Sequence, residues 1–356
     1  MKLRDIASAA GTSLTTVSLV LNDKPGVSPE KREQIRQMLR ENGYEIRTTK
    51  AIDSSEGKTI CFLKYSKHSH LVNGNPGFVT QIMDAVEKEC RRRGYSLTVV
   101  SFDNFSDIDL GEVLTRAGTR GAILLGTELT HGDMEYLHGL DIPLVVVDND
   151  LPLRRCSSVT MDNYLSMFLV VEHLAQLGHR QIGFLYNSLP SCNDWARYKA
   201  FQEALEYYKL PFDPELVYPV FPTMDGAMDS VKELLRKGTR FPAALVGNND
   251  SIAFGAMRAF QSVGLFIPED ISITGFDGLP ISAMAQPPLT TVEVSCAEIG
   301  TRAVLLLHDI IRGRCTASIK VYVETNLIPR DSTAAFHPSR PHPSLLPNHA
   351  NGMSSY

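Results

Sequence analysis

Apolar residues recur at intervals of three or four positions in three successive segments of residues 1–44, which is the spacing of helices that bury one face. Gly11 ends the first segment, and the turn-forming stretch 23–26 separates the second from the third. Ser13 is placed to cap the second helix, and Ser28-Pro29 opens the third in the favoured order. The pattern therefore predicts a domain of three short helices. Its inward-facing positions are Leu3, Ile6, Ala7 and Ala10, then Val17, Val20 and Leu21, then Ile35, Met38 and Leu39.

From residue 59 onward, short β-rich runs alternate with helical stretches, a pattern typical of parallel α/β sheets. One series of runs is followed by a second of similar size, so we expect two lobes with a sheet in each. The carboxyl ends of such strands meet the loops where ligands bind. The predicted strands are 59–65, 95–102, 120–126 and 142–148 in the first series and 159–162, 180–186, 241–247 and 270–277 in the second.

Two segments show no periodicity. Residues 45–58 (EIRTTKAIDSSEGK) are polar with short side chains, and we interpret them as a linker. Residues 333–356 are rich in proline, histidine, serine and asparagine, a composition that predicts a disordered tail. The histidines of this tail lack metal-ligand spacing, so no metal site is expected there. They are His337, His342 and His349.

The composition is that of an ordinary globular protein, with 43% hydrophobic and 21% charged residues among 356. No apolar run approaches the roughly 18 residues of a membrane-spanning helix, and the first residues lack the apolar stretch of a secretory signal. The six cysteines form no C-x-x-C pair, which argues against a zinc site or a disulfide framework and fits a reducing compartment. We therefore expect a cytoplasmic protein with no membrane partner.

Charge is unevenly distributed along the chain. Residues 1–50 contain nine Lys or Arg and six Asp or Glu, a net charge of +3, while the rest carries −8, which gives the total of −5. A basic head on an acidic body favours an anionic partner for the head alone.

The second predicted helix is rich in hydroxyl side chains. A helix, a short turn and a second helix form the helix-turn-helix plan, in which the second helix enters the major groove of DNA. Short hydroxyl side chains let such a helix approach phosphates and base edges. DNA binding is one interpretation, and a plain packing unit of three small helices is the other. The hydroxyl residues are Ser13, Thr15, Thr16 and Ser18.

The segment LRDIASAAGTSLTTVSLVLNDKPGVSPEKREQIRQMLRENGY (residues 3–44) resembles the DNA-binding head of the lactose/galactose repressor (LacI/GalR) family. Its D-[IV]-A, A-G-x-S, T-V-S-x-V-L-N and V-S-x-x-x-R motifs and its final G-Y match at fixed spacing. The resemblance continues through VTMDNYLSMFLVVEHLAQLGHRQIGFLY and AALVGNNDSIAFGAMRAFQSVGLFIPEDISITGFDGLPISAMAQPPLTTV. It covers roughly residues 2–332.

The resemblance implies a helix-turn-helix head and a two-lobed α/β body, over residues 59–332, like that of periplasmic sugar-binding proteins. It implies a homodimer on a pseudo-palindromic DNA operator, with a small effector between the lobes that changes operator affinity. The effector is a sugar in many members and a purine in some, and no cofactor or metal is implied. Lobe 1 is expected at about 59–160 plus 290–320, and lobe 2 at about 161–289 plus 321–332.

Two other functions compete with a transcriptional repressor. A transport-type solute-binding protein would share the body fold, but the basic helical head and the missing signal peptide argue against it. An enzyme is disfavoured because the chain has no G-x-S-x-G, no H-E-x-x-H, no P-loop and no G-x-G-x-x-G after a strand. We therefore expect a regulator without enzymatic activity.

By match to the family, Leu14, Thr15 and Leu19 are expected to read bases. Leu14 can contact a thymine methyl group and Thr15 a base edge, with a phosphate contact of Thr15 as the alternative. Leu19 stands where many members carry arginine, so it either packs inward or makes an apolar contact with a different operator. The residues expected at phosphates or helix ends are Ser13, Thr16, Ser18, Asn22 and Ser28.

Three polar residues of the body match family positions that face the effector, and a fourth is placed there by its position at the end of a strand. Arg197, in the match to R-x-x-G-[FY], offers paired donors that suit vicinal hydroxyls or a carboxylate. Asn249 matches the asparagine of A-x-N-D, and Asp277 follows the glycine-aromatic pair. Asp148 ends a predicted strand and should face the cleft. The carboxylates accept hydrogen bonds from hydroxyls, while the amide both donates and accepts.

Two aromatic and two further acidic residues have less specific signals. Phe78 and Phe221 stand where members place aromatics against the ligand, with ordinary core packing as the alternative. For Asp162 and Asp250 we expect structural hydrogen bonds rather than ligand contacts.

The linker departs from the family pattern. Members continue after G-Y with R-P-N and A-R-x-L, a hinge helix that forms on the operator and inserts an apolar pair into the minor groove. Residues 45–58 contain neither motif, and Ile52 is the side chain we expect to act as a wedge, between poor helix formers. We therefore predict weaker operator bending than in members that carry the hinge.

Overall fold

The structure, a computed structural model, describes residues 3–21, 26–42, 58–68, 72, 76–116, 118–137, 140 and 142–337. It contains two compact units, Met1–Gly57 and Lys58–Tyr356, and each is described by itself. We call the first unit the head and the second the body.

Three helices form the described part of the head, as predicted: α1 (Leu3–Ala9), α2 (Leu14–Leu21) and α3 (Pro29–Glu41). Ser13 caps α2, since its Oγ accepts a hydrogen bond of 3.1 Å from the N–H of Thr16. Helices this short are not stable alone in water, so their shared apolar core holds the head together. The fully buried side chains of that core are Ile6, Val17, Val20, Ile35 and Leu39.

The body alternates strands and helices along the chain. Its strands are β1 (Thr59–Tyr65), β2 (Ser96–Phe102), β3 (Thr119–Leu125), β4 (Leu144–Val147), β5 (Ser157–Met161), β6 (Gly183–Asn187), β7 (Val217–Val220), β8 (Ala244–Gly247), β9 (Ser272–Asp277), β10 (Thr290–Glu293), β11 (Lys320–Val323) and β12 (Asn326–Ile328). Its helices are α4 (Pro76–Arg92), α5 (Leu110–Arg116), α6 (Asn163–Gln176), α7 (Cys192–Tyr207), α8 (Met224–Arg236), α9 (Asp250–Ser262) and α10 (Cys296–Ile311).

Two six-stranded sheets divide the body into two lobes, which confirms the predicted α/β architecture. Lobe 1 is built on the strand order β11-β5-β4-β3-β1-β2, in which all neighbours are parallel. Lobe 2 is built on β12-β10-β9-β8-β6-β7, parallel except for the pair β10 and β12. Helices cover the sheets closely: a Cβ on Gly300 of α10 would lie 2.6 Å from the carbonyl oxygen of Ile82 in α4.

The chain crosses between the lobes after β5, β10 and β11. The predicted boundary at about residue 160 agrees with the first crossing, and the two later predicted boundaries are wrong. The prediction places β10 in lobe 1, but β10 pairs with β9 in lobe 2. It places most of β11 in lobe 2, but β11 pairs with β5 in lobe 1. It also opens the second series with β5, which pairs with β4 and belongs to the first sheet. Pairing joins segments distant in sequence, so a local pattern does not assign a strand to its sheet.

The predicted disordered tail begins too early. The N–H of Ala334 donates to Oγ of Ser272 at 3.1 Å, and the N–H of Phe336 donates to the carbonyl oxygen of Leu177 at 2.8 Å. The Phe336 ring also lies 5.8 Å from the ring of His179. Residues 333–337 therefore pack on lobe 2 because their backbone groups find partners there. Residues 338–356 lie outside the described residues.

Candidate functional site

Helix α2 has one side in the core of the head and one side in solvent. Val17 and Val20, three positions apart, are fully buried and fix the orientation of the helix. The opposite side carries the hydroxyl residues, which matches the arrangement of a recognition helix. Of the predicted DNA contacts on this segment, Ser13, Leu14, Thr15 and Ser18 are exposed, and Thr16 and Leu19 are half-buried.

The structure places the other predicted DNA contacts as follows. Leu19 lies beside Gly26, because a Cβ on Gly26 would be 3.9 Å from Leu19 Cδ1. The Leu19 side chain therefore packs partly inward and keeps part of its surface accessible. Ser28 is exposed before α3, and its carbonyl oxygen accepts a hydrogen bond of 2.8 Å from the N–H of Arg32. Asn22 and Ile52 lie outside the described residues.

A cavity of about 50 Å³ lies between the two lobes of the body, where the carboxyl ends of the strands meet. A polar lining residue lies at the carboxyl end of each of three strands, or within two residues of it. These strands are β4, β8 and β9. Lobe 1 adds an aromatic side chain from the first turn of α4. We call this space the inner cavity. Five predicted effector residues line it: Phe78, Asp148, Arg197, Asn249 and Asp277.

Phe221, the sixth predicted effector residue, is not among the residues that line the inner cavity. It follows the edge strand β7 and packs against the first turn of α8, where a Cβ on Gly226 would lie 2.5 Å from Phe221 Cδ1. The structure thus shows the side-chain packing that the sequence left open as the alternative, and the expected contact with a ligand stays a prediction.

Arg197 is buried, and its guanidinium is held by several contacts. Nε donates to Oδ1 of Asn163 at 2.8 Å, and Nη1 donates to the carbonyl oxygen of Asn248 at 2.8 Å. Nη2 lies 3.8 Å from Oδ1 of Asp277. The guanidinium carbon lies 3.6 Å from the centroid of the Phe276 ring, a cation–π contact. The plane of the donors is therefore fixed before a ligand binds, which lowers the entropic cost of binding.

Asn193 connects the two lobes directly. Its Nδ2, on α7 of lobe 2, donates to the carbonyl oxygen of Asp148 at 2.8 Å and to Oδ1 of Asp148 at 2.9 Å, across the cleft in lobe 1. Its Oδ1 accepts from Nδ2 of Asn163 at 2.9 Å. The other carboxylate oxygen of Asp148 accepts from Oγ1 of Thr127 at 2.5 Å. We call the contact of Asn193 with Asp148 the interlobe bridge.

The inner cavity is acidic. The carboxylates of Asp148, Asp194 and Asp277 line it together with the guanidinium of Arg197. Burial raises the pKa of Asp148 to about 6, although hydrogen bonds and the charge of Arg197 act in the opposite direction. Burial also raises the pKa of Asp277 well above its usual range, against the same arginine. Ionised carboxylates are therefore costly here, and a ligand that donates hydrogen bonds to them would lower that cost.

Sequence reasoning missed half of the residues that line the inner cavity. A usable signal existed, because Asn193 and Asp194 precede Arg197 by four and three positions, the spacing that puts side chains on one face of a helix. Ser191 and Asp194 also form the capping box that starts α7. The lining residues that were not predicted are Val79, Thr127, Ser191, Asn193 and Asp194.

The structural role expected for two other aspartates is confirmed. Asp250 accepts hydrogen bonds from Oγ of Ser282 at 2.6 Å and from Oγ1 of Thr291 at 2.5 Å. Asp162 caps α6 by accepting from the N–H of Leu165 at 2.9 Å. Their acceptor atoms therefore hold loops and helix ends in place.

All six cysteines are free thiols. Within the described ranges, no group of three or more His, Cys, Asp or Glu side chains is arranged to hold a metal ion. Among the helices that the structure describes, none combines the length and the apolarity needed to cross a membrane.

Two family matches cover the head and much of the body. Residues 2–45 match the bacterial regulatory proteins of the lacI family. Residues 171–333 match the periplasmic binding protein-like domain. The order of the two matches agrees with the head and the body in the structure.

The chain is similar along its length to known regulators. It is 28% identical over 334 residues to the HTH-type transcriptional repressor PurR of Pasteurella multocida (strain Pm70), covering 93% of this chain and 98% of the relative. It resembles the transcriptional regulator CelR–cellobiose complex with 25% identity and a TM-score of 0.70, covering 93% of this chain and 99% of the other. It also resembles a LacI family transcriptional regulator from Enterococcus faecium with bound ribose, with 27% identity and a TM-score of 0.67, covering 79% and 100%. By their names, all three are regulators or repressors of transcription.

Proposed function

We propose that this chain, a DNA-binding transcriptional regulator of the lacI family, changes its affinity for the operator when a sugar binds between its lobes. In this proposal it acts as a repressor in the cytoplasm. Two copies form a homodimer and bind the two half-sites of a pseudo-palindromic operator, since a two-fold protein matches a two-fold site.

The observation that best supports a sugar as the effector is the chemistry of the inner cavity. Sugar hydroxyls donate and accept hydrogen bonds, and the cavity offers carboxylate acceptors, an amide and a fixed guanidinium. The apolar C–H face of a sugar ring needs an apolar wall, which Phe78 and Val79 supply. We assign Arg197, Asn249, Asp148 and Asp277 to the hydroxyls.

A purine is the alternative effector. The relative from Pasteurella multocida is named PurR. A planar base would be held best between aromatic faces. Among the lining residues only Phe78 is aromatic, because Phe221 packs on α8 instead. The transport-type alternative is not favoured, since the head matches a DNA-binding family.

The interlobe bridge supplies the coupling in this proposal. A hydroxyl of the sugar that bonds to Asp148 competes with Asn193 for the same carboxylate oxygen. Ligand binding thus changes the free-energy difference between closed and open lobes. A ligand shifts such an equilibrium only by its differential affinity for the two states.

In the head, we propose that α2 enters the major groove. Leu14 and Thr15 then contact base edges, and the exposed part of Leu19 makes an apolar contact where an arginine would bind guanine. Thr16 and Ser18 approach phosphates. Because the linker lacks the family's hinge motifs, we expect weaker operator bending.

A thermal-shift screen of the full-length protein with sugars and nucleobases tests the effector class. A ligand at about 100 times its Kd adds about 2.7 kcal/mol to the stability of the folded state. We expect one or more sugars, and no nucleobase, to raise the melting temperature. Stabilisation by a nucleobase and by no sugar would contradict the proposal.

Matched arginine variants localise the site. Arg197→Lys removes the planar pair of donors and should abolish the sugar-induced shift. Arg236→Lys is the control, since Arg236 lies exposed on α8 and pairs only with Glu233 among the ion pairs described. An equal loss in both variants, or in neither, would place the sugar elsewhere.

A further inference from the structure

The amino ends of three strands of lobe 1 meet at the edge of the sheet that faces away from the inner cavity. Thr59, the first residue of β1, pairs with Ser96 of β2 and with Thr119 of β3. The last turn of α10 lies against the same edge, since a Cβ on Gly121 would be 3.1 Å from Ile311 Cδ1. Residues next to these positions therefore share one face of lobe 1.

Five basic residues occupy this edge, and we call them the basic face. Lys58 directly precedes β1, and Arg120 is the second residue of β3. Arg93 directly follows α4, while Arg312 and Arg314 follow α10. The residues at 58, 312 and 314 are exposed, and those at 93 and 120 are half-buried.

A buried tyrosine and a half-buried histidine lie among these arginines. The hydroxyl oxygen of Tyr95 lies 2.9 Å from Nδ1 of His308 on α10. Burial lowers the pKa of His308, and the charges of Arg93 and Arg312 act in the same direction. Burial raises the pKa of Tyr95, and the charges of Arg312, Arg120 and Arg93 act against it. The same arginines thus act on one pair of side chains, which means that they are close together in space.

Two carboxylates lie among the basic residues. Nε of Arg93 and Nε of Arg92 each lie 2.7 Å from an oxygen of Glu89. Nη1 of Arg314 lies 3.5 Å from Oδ1 of Asp309. The basic face and Arg92 therefore set six cations against these two carboxylates, an excess of four positive charges in a chain that carries −8 beyond residue 50. Like charges held together repel one another, so the approach of an anion is favourable here.

The basic face also lies where the chain from the head enters the body, because Lys58 directly follows the linker. The 16 residues after Asn42, up to Lys58, span at most roughly 55 Å when fully extended. DNA that the head binds is therefore tied to this part of lobe 1. Double-stranded DNA carries one negative charge for roughly every 1.7 Å of its axis, and arginine pairs well with phosphate.

We propose that the basic face binds phosphates of the DNA that the head holds, so that the body makes contacts of its own with DNA. The partner is the phosphate backbone, and such contacts carry no sequence information. The inference goes beyond the proposed effector, because it depends on DNA binding by the head and not on the sugar.

The salt dependence of DNA binding tests this proposal in the full-length protein. The double variant Arg312→Gln/Arg314→Gln removes two exposed cations of the basic face. Fluorescence anisotropy gives the affinity for a labelled duplex from the upstream region of its own gene and for a mixed-sequence duplex of equal length. Each phosphate contact adds about 0.9 to the steepness with which log K falls with log salt, so the variant should be less steep by roughly 1.8. Its loss of affinity should then shrink by roughly 10-fold between about 50 mM and about 200 mM salt, on both duplexes.

Three further variants separate charge from other effects. Arg312→Lys/Arg314→Lys keeps both charges and should keep the wild-type salt dependence, which a structural role of arginine would not. Arg180→Gln/Arg236→Gln removes two exposed cations of lobe 2 and should also leave it unchanged. Lys58→Gln tests a third exposed position of the basic face and should lower the steepness by roughly 0.9, which keeps the test decisive if the first variant is unstable.

The possible outcomes decide the proposal. It is supported if the glutamine variants of the basic face lose steepness, with melting temperatures equal to that of the wild type. An unchanged salt dependence in these variants would overturn it. The same loss of steepness in the lobe 2 variant would also overturn it, because total charge and not this face would then be responsible.

Discussion

Replacing Asp148 by asparagine should make the stability of the body less dependent on pH. Asp148 lies buried at the boundary of the lobes, where it accepts hydrogen bonds from Asn193 and Thr127. Asp148→Asn keeps the shape and one oxygen acceptor. The Thr127 hydroxyl can turn to accept from the new amide, so the packing is preserved while the titrating group is lost.

The sign of the effect follows from the pKa. Burial raises the pKa of Asp148 from its ordinary 3.8 to about 6, so the folded state binds more protons than the unfolded state between these values. The wild type therefore loses stability as the pH rises from about 4 to about 6. This rise in the pKa corresponds to about 3 kcal/mol in the free energy of unfolding. The negative charge of Asp148 also raises the pKa of Asp277, so its removal acts in the same direction.

The measurement is the difference in melting temperature between Asp148→Asn and the wild type, taken at intervals from pH 4 to pH 7.5. Titrating groups that do not interact with Asp148 cancel in this difference. We expect it to grow in favour of the variant with rising pH, by on the order of 5 °C for a protein of this size. The control is Asp225→Asn, which changes an exposed aspartate of α8. A difference for Asp148→Asn that does not change with pH would refute the reasoning.

Three further substitutions test other contacts. Asn193→Ala removes the interlobe bridge and leaves Asp148 and Asn163 with fewer partners. It should destabilise the body by about 2 kcal/mol in thermal melts and increase its radius of gyration in X-ray scattering. Unchanged values would show that the bridge contributes nothing. Val20→Ala deletes two buried methyl groups and should lower the stability of the head by about 2 kcal/mol. Operator binding in gel shifts should therefore weaken while the sugar-induced thermal shift persists. Loss of both would contradict separate roles of head and body. Leu19→Arg should favour guanine in operators selected from a random library, and an unchanged preference would argue against a position near base edges.

The head could be predicted almost completely from the sequence. Its helices depend on local spacing, and Ser13, Val17 and Val20 occupy the cap and core positions that the pattern assigns to them. The same locality explains why the alternation of strands and helices in the body was predicted. A turn, a cap and an apolar stripe are readable because each involves residues within a few positions of one another.

The sheet assignment of β10 and β11 could not be predicted in the same way, because it depends on partners in distant parts of the chain. The inner cavity contains both residues that could be predicted from the sequence and a contact that could not. Asp148 and Asp277 end strands and were predicted, whereas the contact of Asn193 with Asp148 exists only because two lobes meet.

The central claim is that a sugar between the lobes controls the affinity for DNA. It is tested most directly by titrating the full-length protein with labelled DNA from its own upstream region, with and without the sugar found in the screen. We expect the Kd to change by roughly 5-fold or more, the usual range of allosteric coupling, and Arg197→Lys to bind DNA without responding to the sugar. A sugar that binds between the lobes and leaves the Kd for DNA unchanged would contradict the account.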